Sequence, residues 1–254
     1  MKQIIKNGLH RLGYDLVRYY PPSVADVRSL GDFSAQEKRI ISTAKPFTGT
    51  SIERMAALIN AVTYVTRHGL PGDIAECGVW RGGSMMTIAL TLLALGDKSR
   101  SLYLYDTFEG MSSPTEHDKS GDGVSAEEQL RHDPKGTGVW CYASLDDVRA
   151  NILSTGYPEK NIHLIKGKVE DTIPRTIPSS LSLLRLDTDW YESTKHELTH
   201  LYPLLQAKGV LIIDDYGHWE GARKAVDEYF QERGDAVYLH RIDYTGRSLV
   251  KTGD

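Results

Sequence analysis

Three aspartates stand where apolar runs end. Asp187 follows Leu183-Leu184-Arg185-Leu186, and the pair Asp214-Asp215 follows Val210-Leu211-Ile212-Ile213. Short, nearly continuous apolar runs read as buried strands of a parallel sheet. In such sheets ligands bind beyond the carboxyl ends of the strands. Three carboxylates gathered there repel one another unless a cation sits among them. Hard oxygen donors at that density suit Mg²⁺ or a similar divalent ion. One aspartate at a strand end would ordinarily do no more than open a turn. The set, read with the glycine turn below, points to metal binding or catalysis.

The second chemical signal is Glu76-Cys77-Gly78-Val79-Trp80-Arg81-Gly82-Gly83-Ser84. A glycine-rich strand-to-helix turn lets a ligand approach the backbone, because no Cβ intervenes. Packing alone is the plainer reading of such a turn. The spacing is G-x-x-x-G-G, not the G-x-G-x-x-G of dinucleotide enzymes. Dinucleotide turns aim a helix N-terminus at a pyrophosphate. Here Glu76 precedes the turn; it would repel phosphate and suits a cationic ligand. Asp106, at the end of the next expected strand, is placed to accept from ribose hydroxyls. An adenosine with a cationic, phosphate-free tail is S-adenosylmethionine.

The elements that must hold these groups alternate. A helix is expected after a capping box of Thr50 and Glu53, with Met55, Ile59 and Val62 as its apolar stripe. Strand one is expected at Asp73 to Cys77, a helix at Ser84 to Leu95, and strand two at Leu102 to Tyr105. Residues 107–143, rich in glycine and charge, break the rhythm and read as a lid or binding loop, or as solvated chain. A helix at Ser144 to Thr155, strand three at Ile162 to Ile165 and strand four ending at Asp187 follow. Then come a helix at Ser193 to Gln206, strand five ending at Asp214, and a helix at Glu220 to Arg233. Val237 to Ile242 and Arg247 to Lys251 read as a closing hairpin. Such alternation means a parallel sheet covered on both faces. Residues 1–50 form an N-terminal arm and 51–254 the main domain, with 107–143 inserted. In the arm, residues 4–18 have the spacing of a basic amphipathic helix, ended by Pro21-Pro22, and residues 23–50 look irregular or weakly helical.

Bulk properties exclude several classes. The chain has 254 residues, 40% apolar and 25% charged, with a formal net charge of −4. Nothing global draws it to nucleic acid. No apolar run is long enough to span a membrane, and the basic N-terminus lacks a cleavable apolar segment, so a cytoplasmic location is expected. The two cysteines, Cys77 and Cys141, make neither a disulfide framework nor a zinc spacing. Cys77 reads as a small core residue.

These motifs resemble the macrocin O-methyltransferase family, whose members methylate sugars of macrolide and aminocoumarin antibiotics. The matching stretches are Gly72 to Ser84, Tyr105 to Met111, Gly167 to Thr172, Leu184 to Thr194 and Ile213 to Tyr216. The resemblance implies a class I methyltransferase, Rossmann-like α/β fold. Its seven-stranded, mostly parallel sheet has the order 3-2-1-4-5-7-6 with strand seven antiparallel. It implies Mg²⁺ at Asp187, Asp214 and Asp215, with Asp187 as general base. It places S-adenosylmethionine against Glu76, Gly78, Arg81, Gly82 and Ser84, the ribose at Asp106, and the adenine near Gly167, Glu170 and Asp171. A homo-oligomer is expected. Asp189 and His218 are alternative bases, and Trp140, Trp190, Tyr191 and Trp219 could stack on a sugar or pack in the core. The reading is a Mg²⁺-dependent O-methyltransferase acting on a sugar of a glycosylated small molecule or glycan. A catechol or phenol acceptor, an NAD-dependent oxidoreductase and a non-catalytic binding protein are the competing readings.

Overall fold

The computed structural model describes residues 31–132 and 140–253. The helix expected over residues 4–18, Pro21-Pro22, Gly136 and Gly138 lie outside them. Contacts divide the chain into two compact units, Met1–Lys38 and Arg39–Asp254. Of the first unit, residues 31–38 are described and open helix α1 (Ala35–Ala44). The Ser34 N–H donates to Glu37 Oε2 (2.7 Å) and the Glu37 N–H to Ser34 Oγ (3.3 Å). That reciprocal cap makes regular helix where irregular or weakly helical chain was expected.

In the second unit, a 3-10 turn (Lys45–Phe47) leads to α2 (Ile52–Arg67). The N-cap of α2 is Ser51, whose side chain accepts from the Arg54 N–H, rather than the expected Thr50. Strand β1 (Asp73–Cys77), α3 (Gly83–Ala94) and β2 (Leu102–Asp106) follow. The insert carries α4 (Ala126–His132). Next come α5 (Leu145–Leu153), β3 (Ile162–Lys166), the short α6 (Val169–Thr172) and β4 (Leu181–Leu186). α7 (Tyr191–Leu201) ends at a 3-10 turn containing Pro203, and β5 (Leu205–Ile213) begins at once. The expected helix to Gln206 is therefore too long, and Gly209 lies inside a strand. α8 (Glu220–Arg233), β6 (His240–Arg241) and β7 (Arg247–Val250) complete the unit.

The seven strands form one sheet in the order β3-β2-β1-β4-β5-β7-β6. All pairs are parallel except β5–β7 and β6–β7. The fold is the seven-stranded α/β architecture implied by the motifs. Alternation along the strands decides what faces what. Ala75, Cys77, Leu184, Leu186, Leu211 and Ile213 join one apolar cluster with Leu198, Leu201, Val226 and Phe230 of α7 and α8. Ile74, Glu76, Leu183, Arg185, Val210 and Ile212 have the opposite parity. Every residue of β4 is buried, Ser182 and Arg185 included. A buried arginine demands partners, and its register supplies the first: Glu76 lies directly opposite Arg185 across the β1–β4 pair.

The described part of the insert is anchored at buried points between exposed stretches. Ala126 and Leu130 of α4 join Trp190, Trp219 and Ala222 in a second small core. Asp118, 1% exposed, fixes the insert to the start of α7. Its Oδ1 accepts from the Tyr191 N–H (2.8 Å), and its Oδ2 from the N–H and hydroxyl of Thr115 (2.6 and 2.9 Å). A carboxylate there also complements the helix dipole.

Candidate active site

Loops at the carboxyl ends of β1, β2, β4 and β5 converge on one cleft. One lobe, about 290 Å³, is lined by Thr50, Arg54, Trp80, Ser84, Asp187 and Asp214 among others. An adjoining lobe is lined by Gly167, Val169, Glu170, Thr188 and Ser193. Gly78, Asp106, Met111 and Asp187 line both. Larger cavities lie elsewhere: one, about 540 Å³, is bounded by Tyr202, Val237 and Lys251, and none of the three strand-end aspartates lines it.

The three strand-end aspartates do meet. Asp187, Asp214 and Asp215 each present a carboxylate oxygen, and these oxygens lie within 4.8 Å of one another. Asp189 joins them: its backbone N–H donates to Asp215 Oδ2 (3.1 Å). Its φ of +66° is left-handed, a conformation that costs a non-glycine residue energy and marks a constrained position.

Two arginines, neither anticipated as a site residue, organise this acidic group. Arg185, 1% exposed, bonds Glu76 and Asp214, donates to Asp187 Oδ2 (2.7 Å), and reaches the Thr50 hydroxyl (3.1 Å). Arg54 bonds the other oxygen of Asp214 and also Asp243 Oδ2 (3.0 Å). Two guanidiniums thus stand against six carboxylates: Glu76, Asp187, Asp189, Asp214, Asp215 and Asp243. The excess negative charge shows in the titration of the group. Burial pushes the Asp187 and Asp215 carboxyls well above the usual range; neighbouring carboxylates add to it, and Arg185 opposes it at Asp187. Burial lifts Asp189 to about 6, and Glu76 to about 7 against the pull of Arg185. Glu76 Oε2 is buried without a hydrogen-bond partner. Buried polar atoms are rarely left so. An all-oxygen donor set short of positive charge is what a hard divalent cation and a cationic ligand would complete. The residues present therefore fit both.

A pH dependence follows. With neither cation nor cofactor bound, Glu76 is protonated in the folded chain at pH values where the unfolded chain has released that proton. The unfolded state then binds fewer protons, so stability falls as pH rises between the ordinary value of 4.5 and about 7. For Glu76 the loss is about 3 kcal/mol. The melting temperature of chelated protein is expected to drop from pH 5 to 8. Glu76→Gln should flatten the decline, and magnesium with cofactor should counter it. A wild-type curve parallel to that of the variant would contradict the assignment.

The other expected site residues divide. Gly78, Ser84, Asp106, Gly167 and Glu170 line the cleft. Arg81, Gly82 and Asp171 do not line it. Arg81 instead clamps α5 and the 3-10 turn, bonding Asp147 (3.4 Å) and the Pro46 carbonyl (3.2 Å) and lying over the Phe47 ring. Gly82 caps α3 with φ +85°, and Asp171 is exposed. The glycines also serve packing. A Cβ at Gly78 (φ +79°) would overlap the Asp187 carbonyl, and one at Gly83 the Phe47 backbone. Asp106 holds the same turn: Oδ2 accepts from the Val79 and Trp80 N–H groups (2.8 and 3.0 Å) and Oδ1 from the Phe108 N–H (2.7 Å).

Cys77 is a core residue, fully buried, its thiol pushed up by burial. His218 does not line the cleft; it packs edge to face against Trp219 and Tyr244. Trp190 and Trp219 belong to the small core and meet at 5.0 Å, with Trp140 packed against it. Tyr191 bonds Glu228 (2.7 Å) beneath Lys224. Trp80 and Cys141 line the cleft instead.

Known proteins give the chain its family. Residues 21–250 match the family described as Macrocin-O-methyltransferase (TylF). An 8-demethyl-8-(2,3-dimethoxy-alpha-L-rhamnosyl)-tetracenomycin-C 4'-O-methyltransferase of Streptomyces olivaceus is 34% identical over 200 residues, 78% of this chain and 73% of the relative. A mycinamicin III 3''-O-methyltransferase of Micromonospora griseorubida is 33% identical over 199 residues, 78% of this chain and 76% of the relative. The solved structure of the O-methyltransferase NovP superposes with a TM-score of 0.72 at 31% identity, covering 81% of this chain and 82% of its own. This chain therefore belongs to the macrocin-O-methyltransferase family, and with it to the S-adenosylmethionine-dependent O-methyltransferases.

Proposed function

We propose that this enzyme transfers a methyl group from S-adenosylmethionine to a sugar hydroxyl of a glycosylated small molecule or glycan. The observation that carries the reading is the meeting of Asp187, Asp214 and Asp215 beside a cleft that Asp187 and Asp214 line together with Gly78, Trp80 and Ser84 of the glycine turn. The names of the relatives, which refer to a rhamnosyl tetracenomycin and to mycinamicin, support a sugar-bearing acceptor.

The lobe at Gly167 and Glu170 would take the adenine, and Asp106 the ribose. Glu76, buried with an unpartnered oxygen, would face the cationic end of the cofactor. Asp187, Asp214 and Asp215 would hold Mg²⁺, which when bound lowers the pKa of a coordinated hydroxyl. Arg185 engages Asp187 through Oδ2 and so fixes the plane of the carboxyl. Its other oxygen takes the hydroxyl proton as the oxygen attacks the methyl carbon and the sulfonium sulfur leaves with the bonding pair. The insert at 107–143 would act as the lid that excludes water.

Formation of S-adenosylhomocysteine tests this, with magnesium and a panel of glycosylated acceptors, their aglycones and simple catechols. Turnover is expected with sugar-bearing acceptors and is expected to fall about 10²-fold or more in excess chelator. Full rate under chelation would remove the metal from the account, and turnover of catechols alone would remove the sugar.

A further inference from the structure

The second unit holds another cavity, about 450 Å³, that shares no lining residue with the cleft. Its walls are the rings of His218 and Tyr244, the side chains of Ser120, Asp122 and Gln129, and the backbone at Gly121. The two rings meet edge to face, 6.0 Å between centroids at 74°, and form an aromatic corner. The polar wall is a hydrogen-bond chain: Gln129 Nε2 donates to Ser120 Oγ (2.9 Å), and the Ser120 hydroxyl donates to Asp122 Oδ1 (2.6 Å). That last bond holds the Asp122 carboxyl below its usual range, so the wall ends on an anion.

The chemistry selects a ligand class. The volume lies in the roughly 300–1,000 Å³ range of small-molecule sites. A saccharide ring offers an apolar C–H face to an aromatic corner and hydroxyls to acceptors such as Asp122 and Gln129. The Asp122 charge disfavours phosphorylated or sulfated ligands.

Position ties the cavity to the reaction centre. The His218 N–H donates to the Asp215 carbonyl (2.9 Å). Tyr244 follows Asp243, which bonds Arg54 of the cleft (3.0 Å). The Gly121 N–H donates to the His218 carbonyl (2.9 Å), and Ser120 bridges to Trp219. The cavity thus lies on the seam between the insert and the loop after Asp215.

We propose that this cavity is a second saccharide subsite, holding a neutral sugar ring of the acceptor beside the ring that is methylated. It rests on reading Asp187, Asp214 and Asp215 as the methylation centre. Acceptors carrying two sugars then bind more tightly than their monosaccharide counterparts.

The test follows the ring protons of His218 by NMR in the full chain, identified by their loss in His218→Ala. The probes are free L-rhamnose, D-glucose, D-galactose and D-mannose. At least one is expected to shift the resonance saturably in the wild type. Gly121→Leu fills the cavity at little cost, since a Cβ there meets nothing nearer than the Tyr244 hydroxyl at 3.6 Å. It should weaken that binding at least tenfold without lowering the melting temperature, and Tyr244→Ala should do the same. Asp187→Asn should leave the titration unchanged. A resonance unmoved by all four sugars, or one that still titrates in both cavity variants, overturns the subsite. So does a shift abolished by Asp187→Asn, which would place the sugar in the cleft alone. Failure of the underlying reading shows separately, as undiminished methyl transfer together with undiminished Mn²⁺ binding by Asp187→Asn.

Discussion

Arg185→Leu is expected to cost about 3–5 kcal/mol of stability, the price of leaving one side of a buried ion pair uncompensated. The substitution removes the group that bonds Glu76, Asp187, Asp214 and Thr50 together. Three carboxylates then face one another with Arg54 as the remaining cation at Asp214. At roughly 2–4 °C per kcal/mol for a domain of this size, the melting temperature should fall by about 6–20 °C. Arg185→Lys should recover only part of the loss, because a single ammonium cannot reproduce the fork of the guanidinium. Adding Glu76→Gln to Arg185→Leu should restore stability beyond additivity at pH 8, above the value of about 7 at which the Glu76 carboxyl ionises beside Arg185. Thermal melts of the wild type, the three single variants Arg185→Leu, Arg185→Lys and Glu76→Gln, and the double variant decide it; an unchanged midpoint for Arg185→Leu would show that the cluster is not held as described.

Asp187→Asn should have the opposite profile. Asparagine keeps an oxygen for Arg185 and nearly the same volume, while one unfavourable buried charge disappears. The melting temperature of the metal-free protein is therefore expected to hold or rise. Methyl transfer is expected to fall by about 10²–10⁴-fold, the usual weight of a positioned base. Binding of Mn²⁺, followed by electron paramagnetic resonance, should weaken by at least about tenfold, the lower end seen even for groups that only support a ligand. Retained turnover with weakened Mn²⁺ binding would move the base to Asp189. Retention of both would remove Asp187 from the site altogether.

Much of the scaffold was legible because its signals are local. β1 lies at Asp73–Cys77 and the last helix at Glu220–Arg233, as read from apolar periodicity and the closing Gly234. The meeting of Asp187 with Asp214 was legible because each ends a buried run, and parallel neighbours bring such ends together. The arginines were harder to see. Period-two alternation puts Arg185 on the same side of its strand as Asp187, and a charged residue inside a fully buried strand needs a partner. That pairing was readable, but the identity of the partner, Glu76, depends on which strands are neighbours. Arg54 carries no local signal, because its reach to Asp214 is tertiary. α7 begins at Tyr191 rather than Ser193 because its cap comes from Asp118, 73 positions away. Its early end had a local signal in Pro203 that the apolar spacing outweighed. Ser34 and Glu37 offered a readable cap, hidden by the weak periodicity around them.

The Glu76–Arg185 pair has a further consequence for how the sheet assembles. Both lie in the same row of adjacent parallel strands. Sliding β4 by two residues keeps every side chain on its proper face and would otherwise pass as a tolerable misalignment of apolar chain. It would set Leu183 opposite Glu76 and strand two opposite charges apart in a dry interior. The ion pair thus acts as a proofreading device for strand alignment, and the chemistry at the strand tips inherits its geometry from that check.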